Sequence, residues 1–224
     1  MLNPAYLFLA SLLLLGSSQA ANRPNVVVVL VDDVGFSDLG CYGGEIPTLN
    51  NTPFSRYKHF THEGGISTPL IAHWPAGIPA PRHGALESQP GHLVDIMATC
   101  VDLSGAGYPK EFNGHAIEPM QGVSLRPAFD GGKLARTQPI FWEHEGNKAV
   151  RDGKWKLVQR HRLGWQLFNM ESDRTEQRDL ITQHPEIATR LEAAWLAWAQ
   201  RTYVDDWNGP DHTDWGQDIK RALP

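Results

Sequence analysis

Apolar residues follow three rhythms along this chain, and each predicts a different kind of element. The first is unbroken: Val26-Val27-Val28-Val29-Leu30-Val31 has no polar interruption. A strand with one wet face alternates, so this run predicts a strand buried on both faces, as in a parallel sheet covered by helices. The second rhythm is helical. Leu93, Met97, Cys100 and Val101 predict an amphipathic helix over 91–103, stopped near Gly105. Ile187, Leu191, Ala194, Trp195 and Trp198 mark one face of another helix over about 185–200, with Pro185 in its first turn. The third rhythm is short and strand-like, in Ile140-Phe141-Trp142, Lys148-Ala149-Val150-Arg151, Trp155-Lys156-Leu157-Val158 and Trp165-Gln166-Leu167-Phe168. Asp152-Gly153, between the second and third of these runs, predicts a type I′ hairpin. The last third therefore reads as an antiparallel meander on which Trp195 and Trp198 pack the final helix.

Between these elements the pattern is weaker. Leu70-Ile71-Ala72-His73-Trp74 reads as a short strand, a possible neighbour for the Val26–Val31 run. Residues 105–138 read mostly as loop, with turn signals at Asn113-Gly114 and Asp130-Gly131-Gly132. The polar tail beyond Tyr203 carries no assignable periodicity.

The chain opens on an apolar stretch, Leu7 to Leu15, followed by Gly16-Ser17-Ser18-Gln19-Ala20. A short apolar region and then small residues predict an export signal peptide, residues 1–20, cleaved after Ala20. It is too short to span a bilayer. The rest has room for one domain, or one with a small appendage. A net charge of −5 without any basic stripe argues against a nucleic-acid partner. Cys41 and Cys100 are the only cysteines, and their spacing leaves pairing open. Eight tryptophans and ten histidines are many for 224 residues. Tryptophan-rich surfaces suit sugars, although buried core tryptophan is the commoner use of the residue.

Candidate chemistry begins where the valine run stops, on Asp32-Asp33-Val34-Gly35. Ligands of open α/β folds bind at the carboxyl ends of strands, where these two carboxylates would sit. Adjacent anions repel, so the pair calls for a cation between them or for solvent around them. Further on, Arg56-Tyr57-Lys58-His59-Phe60-Thr61-His62-Glu63-Gly64-Gly65 sets cationic and imidazole groups against a glycine turn.

These residues carry a resemblance. Arg23-Pro24-Asn25-Val26 leading into Leu30-Val31-Asp32-Asp33-Val34-Gly35, then Asp38-Leu39-Gly40-Cys41-Tyr42-Gly43, is similar to the amino-terminal signature of arylsulfatase-type sulfatases. Tyr57-Lys58-His59-x-x-His62-Glu63-Gly64-Gly65-Ile66-x-Thr68-Pro69 resembles a later block of that family. Trp142-Glu143-His144-Glu145-Gly146-Asn147 and Trp155-Lys156-Leu157-Val158 resemble its carboxy-terminal subdomain. The resemblance implies an α/β chain: a remnant of an alkaline-phosphatase-like sulfatase sheet, plus a C-terminal antiparallel sheet packed by a helix. It further implies a partial catalytic domain over 21–135, the antiparallel subdomain over 136–204 and a tail over 205–224. The implied activity is calcium-assisted hydrolysis of a sulfate ester on an aryl or carbohydrate partner. Asp32 and Asp33 map onto metal ligands, where a hard cation would offset charge on sulfate oxygens. Lys58 maps onto a sulfate contact, where its ammonium would stabilise charge developing on the leaving group. Read without the block, Lys58 is a solvated surface lysine.

The departures are as informative as the matches. Family members convert the Cys or Ser of a Cys/Ser-x-Pro-x-Arg motif to formylglycine, whose hydrate attacks sulfur. Cys41 is followed by Tyr-Gly-Gly-Glu and Cys100 by Val-Asp-Leu-Ser, and no serine has the Pro and Arg at that spacing. The block holding the second metal pair is missing too. The amino-terminal signature runs to about Thr48, and by Asn51-Thr52-Pro53-Phe54 the chain is already in the later block. Against the family's order a central segment is missing near residue 50, and without the covalent nucleophile the usual route is closed.

Two other classes compete. His59-x-x-His62-Glu63 could suggest a zinc hydrolase, but helical zinc proteases need His-Glu-x-x-His, and Gly64-Gly65 breaks any helix here. An exported, non-catalytic binder of sulfated glycans would use Trp142, His144 and Trp165 on its surface. Sheet packing is the reading these residues favour.

Overall fold

Alternating apolar positions over 140–169 form the central sheet of the molecule. In the computed structural model, which describes residues 25–30 and 53–209, strands β3 (Ile140–His144), β4 (Asn147–Asp152), β5 (Trp155–Gln159) and β6 (Trp165–Asn169) pair in sequence order, all antiparallel. Register places Val150 opposite Leu157 and Leu157 opposite Leu167. All three are fully buried against Ala188, Leu191, Trp195 and Ala199 of the terminal helix α4 (Pro185–Arg201). Ala149, Val158, Phe168 and Met170 bury the opposite face. Both predicted features, the meander and the helix across it, are present at the positions their periodicities mark.

The hairpin turns differ in detail. In the β4–β5 loop, Gly153-Lys154, only Gly153 takes positive φ, the pattern of a type II′ turn and not of the expected type I′. The β3–β4 loop, Glu145-Gly146, has φ of 51° and 77° and is the type I′ turn of this sheet.

The chain falls into two units. One holds the meander, α4 and residues 53–76, including the short helix α1 (Glu63–Ile66). The other spans Gly77–Ala135 together with residues 25–28. Its main element is α2 (Leu93–Ser104), followed by a two-residue hairpin, β1 (Glu111–Phe112) and β2 (His115–Ala116), and the single turn α3 (Arg126–Phe129). At the start of α2 a capping box forms: Asp95 Oδ2 accepts from His92 N at 2.7 Å, and His92 Nδ1 accepts from Val94 N. Gly105, with φ of 65°, ends it.

Two expectations are corrected here. Helix α2 buries Asp95, Ala98 and Thr99, whereas Leu93 and Met97 of the predicted core face lie exposed. Hydrogen bonding decides this: Asp95 Oδ1 accepts from Val123 N at 2.9 Å, and Thr99 Oγ1 accepts from Leu125 N at 2.9 Å. Gly122 approaches so closely that a Cβ there would run into the Val94 carbonyl. The second correction concerns the valine run. Val26 to Leu30 form no strand and are exposed, and residues 70–74 form no strand either. A strand exists only through hydrogen-bonded neighbours, and none pairs with either segment among the described residues.

Candidate functional site

The Lys58–Gly65 block is bent into a tight knot by its two glycines. A Cβ on Gly64 would collide with the carbonyl oxygens of Ser55 and Arg56, and one on Gly65 with that of Phe60. Gly64 N donates to Ser55 O and Gly65 N to His62 O, each at 2.8 Å. Lys58 sits in this bend with φ of 23°. The knot turns Lys58 and His59 outward and sends His62 and Glu63 into the interior.

Inside, Lys156 Nζ is fully buried between Glu63 Oε1 at 2.9 Å and Glu176 Oε1 at 2.8 Å. Glu176 Oε2 also accepts from Glu63 N at 2.8 Å. Arg174 approaches Glu63 Oε2 at 3.7 Å, so two cations face two carboxylates. Burial pushes the Glu176 carboxyl above its ordinary range, while Lys156 pulls the other way. Beside this group, burial first and then the Lys156 and Arg56 charges hold His62 down to a pKa of about 3, so it stays neutral at physiological pH. The His59-x-x-His62-Glu63 spacing therefore makes no metal site: Glu63 is committed to Lys156, and His62 is buried away from His59's surroundings.

His59 instead meets the β3–β4 turn. Its Nδ1 lies 2.6 Å from Glu145 Oε2, and its ring stacks on His144 with centroids 5.8 Å apart. Asn147 Nδ2 donates to His59 O at 2.8 Å and to His144 O at 3.1 Å, fixing both imidazole-bearing segments to one buried amide. Lys58, His59, Trp142, Glu143 and His144 line an open cleft of about 390 Å³, with Phe60 at its base in the core.

Of the residues the sequence singled out, Lys58 is on this cleft, whereas Asp32 and Asp33 lie outside the described residues. Trp142 and His144 join Lys58 there, but Trp165 does not. Its indole Nε1 donates to Glu192 Oε1 at 2.9 Å and its ring meets Trp195 edge-on, a sheet-to-helix packing role. Trp165 also edges a second cleft of about 350 Å³ with Arg56 and Arg160. The His59–His144–Glu145 group was not visible as a unit in the sequence. Its one local signal is Glu145-Gly146, a turn pair that lifts His144 to the sheet's edge. Cys100 carries a free thiol, and no helix among the described residues is long and apolar enough to cross a membrane.

A meander closed by a helix, bound to a Lys-His-x-x-His-Glu-Gly-Gly knot, defines a sulfatase-type fold. The crystal structure of Ps i-CgsB superposes with a TM-score of 0.56 at 28% identity, over 78% of this chain and 38% of that one. An uncharacterized sulfatase of Schizosaccharomyces pombe is 27% identical over 170 residues, 73% of this chain and 30% of that protein. The N-acetylgalactosamine-6-sulfatase of Sus scrofa is 37% identical over 101 residues, 45% of this chain and 17% of that protein. No family model matches. The chain is similar to sulfatases over most of its length, and no Cys or Ser in it stands in a Cys/Ser-x-Pro-x-Arg motif. It spans under a third of the length of the curated relatives it matches.

Sulfatases bind a metal ion. The donors gathered at His59, His144 and Glu145 are two imidazole nitrogens and one carboxylate. That set does not fit calcium, which takes six or more oxygens.

Proposed function

We propose that this chain is a sulfatase-derived protein whose cleft still presents Lys58 to an aryl or carbohydrate sulfate but does not hydrolyse the ester. The observation that carries the reading is the meeting of two distant sequence blocks, Lys58-His59 and Trp142-Glu143-His144, on one cleft. Lys58 would supply charge to the sulfate oxygens. Nothing in the chain supplies the covalent attack, because no Cys or Ser stands in the formylglycine motif. Sulfate release from a chromogenic aryl sulfate is the direct test. The expected rate equals that of the Lys58→Ala variant, and turnover above that control overturns the proposal.

A second reading, an exported non-catalytic binder of sulfated glycans, is favoured by Trp142 and His144 beside Lys58. The related Ps i-CgsB has also been solved in complex with k-i-k-neocarrahexaose. Retention on a sulfated-polysaccharide column, released by salt and weakened in Lys58→Ala, is expected on this reading. Flow-through at low salt would exclude it.

Asp32 and Asp33 descend, on this proposal, from the family's calcium site. Two carboxylates in place of a full oxygen set leave weak affinity, so calcium should give no saturable heat at submillimolar concentration. Residues 1–20 serve as the export signal, and the exported protein should begin at Ala21 on amino-terminal sequencing.

A further inference from the structure

We infer that His59, His144 and Glu145 form a binding site for a divalent first-row transition metal ion of the kind zinc represents. The inference is independent of sulfate binding by Lys58 and of any calcium at Asp32 and Asp33.

The donor set comes first. Two neutral imidazoles and one carboxylate are the three-ligand combination that zinc accepts in open sites, leaving a fourth position for solvent or an anion. The cleft lined by His59 and His144 has room for that fourth ligand.

Geometry is the second support. One ligand atom from each residue lies within 4.8 Å of the others, and the His59 and Glu145 atoms are 2.6 Å apart. Ligands at zinc's usual bond lengths of about 2.0–2.1 Å sit roughly 3.3 Å from one another in a tetrahedron. Binding would open the His59–Glu145 contact by under an ångström and draw His144 in by about 1.5 Å. His144 is exposed, so its side chain has room to move.

The third support is that the backbone around the ligands is already held. Asn147, 3% exposed, donates to the carbonyls of both His59 and His144, and its Oδ1 accepts from His161 N at 3.1 Å. Glu143 Oε1 accepts from Gly146 N at 2.9 Å and closes the turn that carries Glu145. Ligands fixed in this way lose little freedom when the ion arrives.

The test is calorimetric titration of the full chain, stripped with chelator, with zinc chloride. One ion per chain at micromolar affinity or tighter is expected, weakened at least tenfold in both His144→Ala and Glu145→Gln. The control His115→Ala, an exposed histidine on β2, should keep wild-type affinity. Circular dichroism establishes that each variant is folded. Cobalt gives a second readout, because four-coordinate Co²⁺ develops visible d–d bands that His144→Ala should abolish. Absence of saturable zinc binding to the folded chain overturns the proposal, as does wild-type affinity in either ligand variant.

Discussion

His62 is a residue whose titration bears on folding. Its imidazole is 4% exposed, and burial with the neighbouring cations holds its pKa near 3 in place of 6.5. The sign follows from proton counting. Between pH 6.5 and about 3 the unfolded chain binds a proton at this position and the native chain does not, so acid favours unfolding. The slope from this one group is about 1.4 kcal/mol per pH unit across that window. Urea unfolding at pH 7, 6 and 5 should show this steep loss, and His62→Gln, which cannot titrate, should flatten it by that amount. An unchanged slope in the variant would contradict the assignment. Lys156 makes the second prediction at this scale. Its ammonium is wholly buried between Glu63 and Glu176, and Lys156→Met leaves two buried carboxylates facing each other. Breaking such a group typically costs about 3–5 kcal/mol, measurable as a lowered urea midpoint. The double variant Lys156→Met/Glu63→Gln should recover part of the loss.

At the scale of elements, packing separates the two long helices. Leu191 of α4 is fully buried against Val150, Leu157 and Leu167, whereas Met97 of α2 is 58% exposed. Leu191→Ala should cost about 3 kcal/mol, in the range of other buried leucines, while Met97→Ala stays within about 0.5 kcal/mol. Thermal unfolding of the two variants side by side checks the contrast. It also marks which parts of the fold were legible in sequence. The meander and α4 could be read because their periodicity decides their burial: each strand finds its partner within a few residues. The face of α2 was misread because its partner, residues 122–125, joins through hydrogen bonds to Asp95 and Thr99, which apolar spacing does not register. The Val26–Leu30 run was misread for the opposite reason, since its pattern describes a strand whose neighbours are not among the described residues. In the site, Lys58 was legible through its sequence block. The partnership of His59 with Glu145 was not, because 86 residues separate them and only the folded turn brings them together.

At the scale of the molecule, several large apolar side chains lie exposed among the described residues. Val27, Leu30, Leu86 and Leu93 are each between 69% and 81% exposed. Where such groups join into one contiguous patch they mark a surface that other protein would cover. The native chain should therefore enhance the fluorescence of an apolar dye before any denaturant is added, and light scattering should rise with concentration. Dye fluorescence no greater than that of a well-packed protein of similar size would count against this picture.

The buried Lys156 also ties the meander to a segment far ahead of it in sequence. Its charge is balanced from two sides: from Glu176, which follows β6, and from Glu63, which precedes the whole meander. Without the knot around Gly64-Gly65, Lys156 loses one of its two carboxylate partners and Arg174 loses its contact with Glu63. Phe54, just ahead of the knot, is tied to the same group, since Arg174 covers its ring at 4.9 Å. Any chain that keeps both carboxylate partners of this buried ammonium must therefore keep the knot together with the meander.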